Sequence, residues 1–396
     1  MTTIELRGVS WDHPRGHDCM VATAAAYRAV APGVVVRWET RSLQDFADFP
    51  VQKLAETYDL LIVDHPFVGF AARDGCLLPL DGLLDPAVLA DQAANSVGPT
   101  HRSYLYAGRQ WALANDAAGH VAAWRPDLLD ELGGLPRTWD EVLLTAAIRS
   151  GAQRARVGIP LIPVDALMSF CSICAAFGAP PFADPAQVVE RRAGRHALGV
   201  LAALTKAAHP ASLRLNPPRM LDLAAETDEV AFVPLLFGYS NYARPGFRRN
   251  LIRFGGLPLG SGAEPAGGIL GGAGIAVSRH AKHPDAAAAY AAFVVEPEVQ
   301  RGIYFASGGQ PGHRAAWTDP AVNAASSRFF ADTLASLDRA FLRPRYDGFM
   351  AFQEAAGEAI HEWLVAGGVN PNGLLDRLDD RYRASNPPAA SCAESG

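Results

Sequence analysis

Short apolar runs alternate with helix-patterned segments from the start of the chain. Ile4–Val9 reads as a strand, and Val21–Val30 as an Ala-rich helix stopped by Pro32-Gly33. Val34–Glu39 is a second strand, rich in β-branched residues, and Phe46–Thr57 carries a helical pattern. Tyr58–Val63 is a third strand, a continuous apolar run of the kind buried inside parallel sheets. This βαβαβ rhythm predicts an α/β fold, a parallel sheet covered by helices. Ligands of such sheets sit beyond the carboxyl ends of the strands. Those ends are Ser10-Trp11-Asp12-His13 and Asp64-His65-Pro66-Phe67.

Further along, Pro126 opens a helix through Leu128, Leu129 and Leu132 that Gly133-Gly134 closes. Thr138 and Glu141 have the spacing of a capping box, followed by the apolar face Val142, Leu143, Ala146 and Ala147. Val230–Pro234 reads as a short strand leading into an aromatic loop, Phe237 to Tyr242. Glycine and proline concentrate between Gly255 and Gly274, the best linker candidate, and Gly274–Ser278 follows as a strand. The last hundred residues are mostly helical, with Phe349–Val365 and Pro371–Arg383 the clearest segments. The stretch 387–396 is small and polar, and is expected to be a flexible tail.

A length of 396 residues exceeds what one core usually needs, so two domains are expected. The formal net charge of −6, with no Lys/Arg run longer than two residues, argues against a nucleic-acid partner. No apolar stretch approaches the roughly 20 residues of a membrane span. Met1-Thr2-Thr3 runs directly into the first strand without a basic and then apolar leader. The expectation is a cytoplasmic chain, or one whose leader was replaced by a start Met. Five cysteines form no disulfide framework.

Catalytic and metal signatures are incomplete. Gly267–Gly274 lacks the Lys-Ser/Thr ending of a phosphate loop and the third glycine of a dinucleotide turn, and fits a hinge linker. Cys171 and Cys174 lack two further metal ligands and sit in an apolar helical run, as buried structural cysteines do. His13, His17 and Asp18 lack a fixed geometry because Pro14 and Gly16 break any helix; an anion or polar-ligand contact helped by Arg15 suits them better. There is no Gly-x-Ser-x-Gly elbow and no second histidine after His361-Glu362. No cofactor and no metal is expected.

Several segments together resemble the family 1 extracellular solute-binding proteins, the sugar-type receptors of ABC importers. They are Tyr58–Val63 with Asp64-His65-Pro66 and then Gly75–Asp81; Trp111–Trp124 with Arg125–Leu129 and Leu135–Glu141; and Gly271–Ser278, His283–Ala287 and Pro297–Gln300. The chain departs from that family in its start, in the Ala112–Asp116 stretch where a tyrosine is common, and in Gly308-Gly309-Gln310-Pro311-Gly312 where a leucine-proline-x-arginine loop is common. The resemblance implies a periplasmic-binding-protein-like fold, two α/β lobes joined near Ala112–Asp116, Leu257–Gly260 and Gln310–Trp317. The lobes would be 1–113 plus 259–312, and 114–258 plus 313–386. It further implies a monomer that closes on a small polar ligand, serves ABC transporter permease subunits and works outside the cytoplasm.

Candidate ligand contacts belong on strand-end loops facing the cleft: Trp11, Asp12 and His13; Asp64, His65 and Phe67; Phe237 and Tyr239. Asn115 and Asp116 lie at the first crossing, Gln310 at the third, and Gly271 and Gly272 offer backbone donors. Arg345 and Tyr346 match a region that often reaches the cleft in the family. Each has a plainer reading: Trp11 or Phe237 as core, Asp64 as a cap, Arg345 paired with a surface acid. The set suits a sugar, an acidic sugar or a small carboxylate. A binding protein is expected, not an enzyme. The alternatives are a cytoplasmic sensor of the same fold and a glycoside hydrolase using Asp12 and Asp64.

Overall fold

The computed structural model describes residues 3–41, 51–260, 262 and 266–385. Its framework is an eight-stranded sheet. The strands are β1 (Ile4–Trp11), β2 (Val34–Arg41), β3 (Leu60–Val63), β4 (Leu113–Trp124), β5 (Arg156–Val157), β6 (Val230–Phe237), β7 (Arg253–Gly255) and β8 (Leu270–Val277). Their spatial order is β2-β1-β3-β8-β4-β6-β5, with β7 also paired to β4.

The first three strands are parallel, as the βαβαβ pattern predicts: Ile4 pairs with Val34 and Gly8 with Leu60. All four residues of β3 are buried, which is why its run carries no polar alternation. β1 runs two residues beyond the predicted end because Ser10 and Trp11 pair with Thr40 and Arg41. Trp11 is therefore a strand residue and not part of a loop. The first-lobe helix α1 (Asp18–Val30) packs Met20, Ala24 and Tyr27 onto the sheet. Of the expected helix Phe46–Thr57, Val51–Ala55 is helical, and 42–50 lie outside the described residues, as do 387–396.

β4 is the spine of the molecule. Its first half pairs antiparallel with β8, Leu113 to Ile275 and Gly119 to Leu270. Its second half leaves β8 and pairs with β6 and β7, His120 to Phe237 and Trp124 to Arg253. One strand thus serves two cores. Part of the Gly255–Gly274 segment read as a linker is strand: β8 begins at Leu270. The glycines there permit close packing, since a Cβ on Gly271 would stand 2.6 Å from the Phe237 ring and one on Gly274 2.6 Å from that of Tyr104. Gly272 has φ +99° beside a bulge at Ala273/Gly274 and needs glycine for that reason.

The second half gathers α2 (Trp139–Arg149), α3 (Pro163–Ala176), α4 (Arg191–Ala207), α5 (Phe349–Val365) and α6 (Pro371–Ser385) around one cluster holding Trp139, Phe170, Leu198 and Phe349. α2 starts on the predicted capping box, the Thr138 side chain accepting from the Glu141 N–H and the Glu141 carboxylate from the Thr138 N–H. Cys171 and Cys174 are buried in α3, and burial pushes both thiols up. Among the described residues no helix is long and apolar enough to cross a membrane.

Candidate functional site

Two charged contacts connect the halves on either side of β4. The loop after β1 carries Arg15, which is buried; its guanidinium grips the Asp116 carboxylate at 2.8 and 2.6 Å. Nη1 donates to the Gly238 carbonyl at 3.0 Å, beyond the end of β6, and the guanidinium lies over the Tyr239 ring at 4.5 Å. Burial pushes the Asp116 carboxyl up; Arg15 and a backbone bond at Ala273 pull against it, and the fork geometry is that of an ionised pair. Next to it, the His13 ring meets Tyr239 edge-on at 5.0 Å, while its Nδ1 accepts from the Arg15 N–H.

The second contact joins Asp64, at the end of β3, to Arg343, just before α5. Arg343 Nη2 reaches the two carboxylate oxygens at 2.8 and 2.7 Å, and Nη1 donates to Gln353 Oε1 at 2.9 Å. Burial would raise the Asp64 carboxyl, but Arg343 and bonding from His65 outweigh it and hold it well below the usual carboxylate range. A carboxylate held ionised in this way is a poor general acid, and Asp12 is exposed. Asp64 also caps the turn that follows, as its plainer reading expects. His65 beside it is fully buried. Its Nδ1 lies 3.2 Å from Asp64, Nε2 has no protein partner, and burial together with Arg343 lowers it to about 4.

Replacing Arg343 with Met is expected to cost about 2 kcal/mol, less than for a fully buried pair because Asp64 keeps a fifth of its surface open. Urea unfolding at neutral pH checks it, with Arg301→Met at an exposed ion pair as reference. Equal losses in the two variants would show that Asp64–Arg343 adds nothing beyond a surface contact.

α3 contributes a third group. Asp165, Ser169 and Ser172 recur at i, i+4 and i+7, one helix face. Ser172 Oγ stands 2.8 Å from His120 Nδ1 on β4 and accepts from the Ile269 N–H, which turns this face toward the junction of the halves. The His120 ring in turn lies 4.4 Å from Phe237. Asp165 Oδ2 and Ser169 Oγ are buried without protein partners, and burial pushes the Asp165 carboxyl far up. Tyr239 is raised to about 12, chiefly by burial, with Asp116 and Asp165 adding to it. Ser240 Oγ and Asn241 Oδ1 are buried without partners just after Tyr239, as is His13 Nε2 opposite.

The structure thus draws His13, Asp64, His65, Asp116 and Tyr239 to the junction. Asn115 is there too, its amide donating to the Tyr304 hydroxyl at 3.1 Å. Gly271 and Gly272 pair within the β8–β4 ladder. Gln310 spends its amide on the Ser240 N–H and the Ala117 and Gly238 carbonyls, a fixed tie and not an open contact. Trp11 packs in the first-lobe core, against Gly16. Phe67 and Phe237 are half-buried against core clusters. Arg345 donates to the Arg102 and Leu105 carbonyls, and Tyr346 is buried with its hydroxyl 2.8 Å from Ser385 Oγ. Arg343, two residues earlier, is the arginine of this segment that reaches the end of β3. Arg15, His120, Asp165, Ser169, Ser172, Ser240 and Asn241 are the other groups outside the predicted set. Asp165 had a signal: it is the one charged residue in the apolar run Pro163–Ala176.

Among the described residues no group of three or more His, Cys, Asp or Glu could hold a metal ion. No protein-family model and no curated protein sequence matches the chain. Solved structures do. The chain is similar to a maltose-bound MalE3 of T. maritima (17% identity, 96% of this chain and 100% of that one, TM-score 0.84). It is similar to an ABC transporter solute-binding protein from Agrobacterium radiobacter K84 in complex with ribitol (19%, 97% and 99%, TM-score 0.80). It is also similar to UgpB from Mycobacterium tuberculosis in complex with glycerophosphocholine (16%, 97% and 98%, TM-score 0.80). The fold is the two-lobed one of solute-binding proteins over nearly the whole chain, as the resemblance implied.

Proposed function

We propose that this chain is a solute-binding protein that captures a sugar or sugar-like polyol between its lobes by hinge closure, as a monomer, for an ABC importer outside the cytoplasm. The observation that carries the reading is the meeting of partnerless buried polar atoms from both lobes beside the strand that joins them. Such atoms are costly to bury, and a ligand rich in hydroxyls satisfies them. Tyr239 and Phe237 supply flat apolar surface for a sugar ring. Solved neighbours that hold maltose and ribitol support the ligand class. The lobes of this reading are 1–113 with 259–312 and 114–258 with 313–386, so that Arg15–Gly238 and Asp64–Arg343 are closure contacts. Hinge motion of this kind rotates rigid lobes about a few backbone positions, here the crossings near Ala112–Asp116, Leu257–Gly260 and Gln310–Trp317.

The test is a melting-temperature screen against mono- and oligosaccharides and polyols, with mass spectrometry of each ligand afterwards. A hit is expected to raise Tm, leave the ligand chemically unchanged, and reduce the radius of gyration in solution scattering. The reading fails if no member of the screen moves Tm, or if the bound compound is converted.

A further inference from the structure

One acid beside the cleft stands outside its ion pairs. Arg15 is matched by Asp116 and Arg343 by Asp64. His13 and His65, lowered to about 4, and His120, lowered to about 3, carry no charge at neutral pH; burial is the main cause in each. Asp165 is 4% exposed, has no cationic partner among the described residues, and without one burial favours its protonated form. It sits in the first turn of α3, where the helix dipole favours an anion, but Oδ2 accepts no hydrogen bond from the protein. A neutral polyol can pair with this acid only in its protonated form, whereas a cation would hold it ionised. The partners that Asp165 lacks are those an ammonium group supplies: a positive charge and strong N–H donors. The nearby Tyr239 adds an aromatic surface, a favourable neighbour for a cation.

On the reading that this cleft binds a polyol, we propose that its ligand carries a protonated amine, as an amino sugar or amino polyol, and that Asp165 pairs with that amine. The hydroxyls of the same ligand fall to Ser169, Ser240 and Asn241. An ammonium donor on Asp165 replaces a buried, unmatched acid with a charge-assisted pair, so discrimination against the hydroxyl analogue follows from leaving that acid unpaired.

The experiment compares matched probes by calorimetry: glucosamine with glucose, galactosamine with galactose, and glucamine with sorbitol. At least one amine is expected to bind about 100-fold more tightly than its hydroxyl counterpart. Asp165→Asn is expected to bring that ratio to near one. The variant without ligand melts at or above the parent temperature, because an unpaired buried acid is gone. Glutamate at the same position retains part of the preference. If the hydroxyl member binds as well as the amine and Asp165→Asn leaves it unchanged, the amine assignment is overturned and the polyol reading stands. If neither member of any pair binds, and the wider saccharide screen is also silent, the polyol reading falls with it. Should Asp165→Asn fail to fold, the amine-to-hydroxyl ratio of the parent protein decides.

Discussion

Arg15→Met should lower the unfolding free energy by about 3–5 kcal/mol, the usual result of leaving one partner of a buried ion pair behind. The Arg15 side chain is 4% exposed and the Asp116 side chain 0%, so water cannot take over. The same guanidinium also satisfies the Gly238 carbonyl and covers the Tyr239 ring, and both contacts go with it. A double variant, Arg15→Met with Asp116→Asn, should recover part of the loss, because the orphaned charge is then absent. Urea unfolding at neutral pH measures each step. If Arg15→Met costs under about 1 kcal/mol, the figure for a surface pair, the clamp is not what holds this junction.

Acid should weaken the fold between about pH 6.5 and 4, through His65 and His120. Each has an unfolded value near 6.5 and is lowered by burial first and by Arg343 second, His65 to about 4 and His120 to about 3. Below pH 6.5 the unfolded chain binds protons that the folded chain refuses, so stability falls with pH until the folded values are reached. The slope approaches about 1.4 kcal/mol per pH unit for each histidine. Asp165 acts in the opposite sense. Its folded value is raised, so its contribution is complete at low pH and is lost as pH rises through that value. The Asp165→Asn background therefore removes that opposition from the histidine effect. Adding His120→Gln should flatten the profile by one proton. An unchanged slope in that variant would mean that His120 is protonated in the fold or does not titrate there.

Much of the architecture is legible in the sequence because it is written locally. Short apolar-rich runs mark β1 to β3, continuous only in β3, and Thr138 with Glu141 fixes the start of α2 to the residue. The wider pattern of segments leads to the right fold although no solved neighbour quoted above exceeds 19% identity. The junction is less legible because its partners are far apart in the chain: Arg15 and Asp116 are separated by 101 positions, Asp64 and Arg343 by 279. Spacing cannot pair them, since only the folded sheet brings the ends of β1, β3 and β6 together. Arg343 and Arg345 stand on the same short segment, and sequence alone gives no reason to prefer one. In the structure, the backbone packs tightly onto Gly69, whose Cβ would come within 1.8 Å of the Arg345 carbonyl oxygen, while the side chain of Arg345 runs toward the carbonyls near Leu105. Asp165 was passed over because the apolar run around it reads as core, which it also is.

The place of β8 in the sheet has a consequence for biosynthesis. It lies between β3 and β4, yet it is made after both, and nearly all of the second half's sheet is made before it. As the polypeptide leaves the ribosome, the first three strands therefore have no bridge to β4 until residues 270–277 emerge. During that interval the edge of β3, apolar on both faces, lacks its neighbour, the kind of exposed edge that invites pairing with another chain. Nascent chains arrested before Gly271 should be the aggregation-prone and chaperone-held species, and release from that state should coincide with the appearance of this one strand.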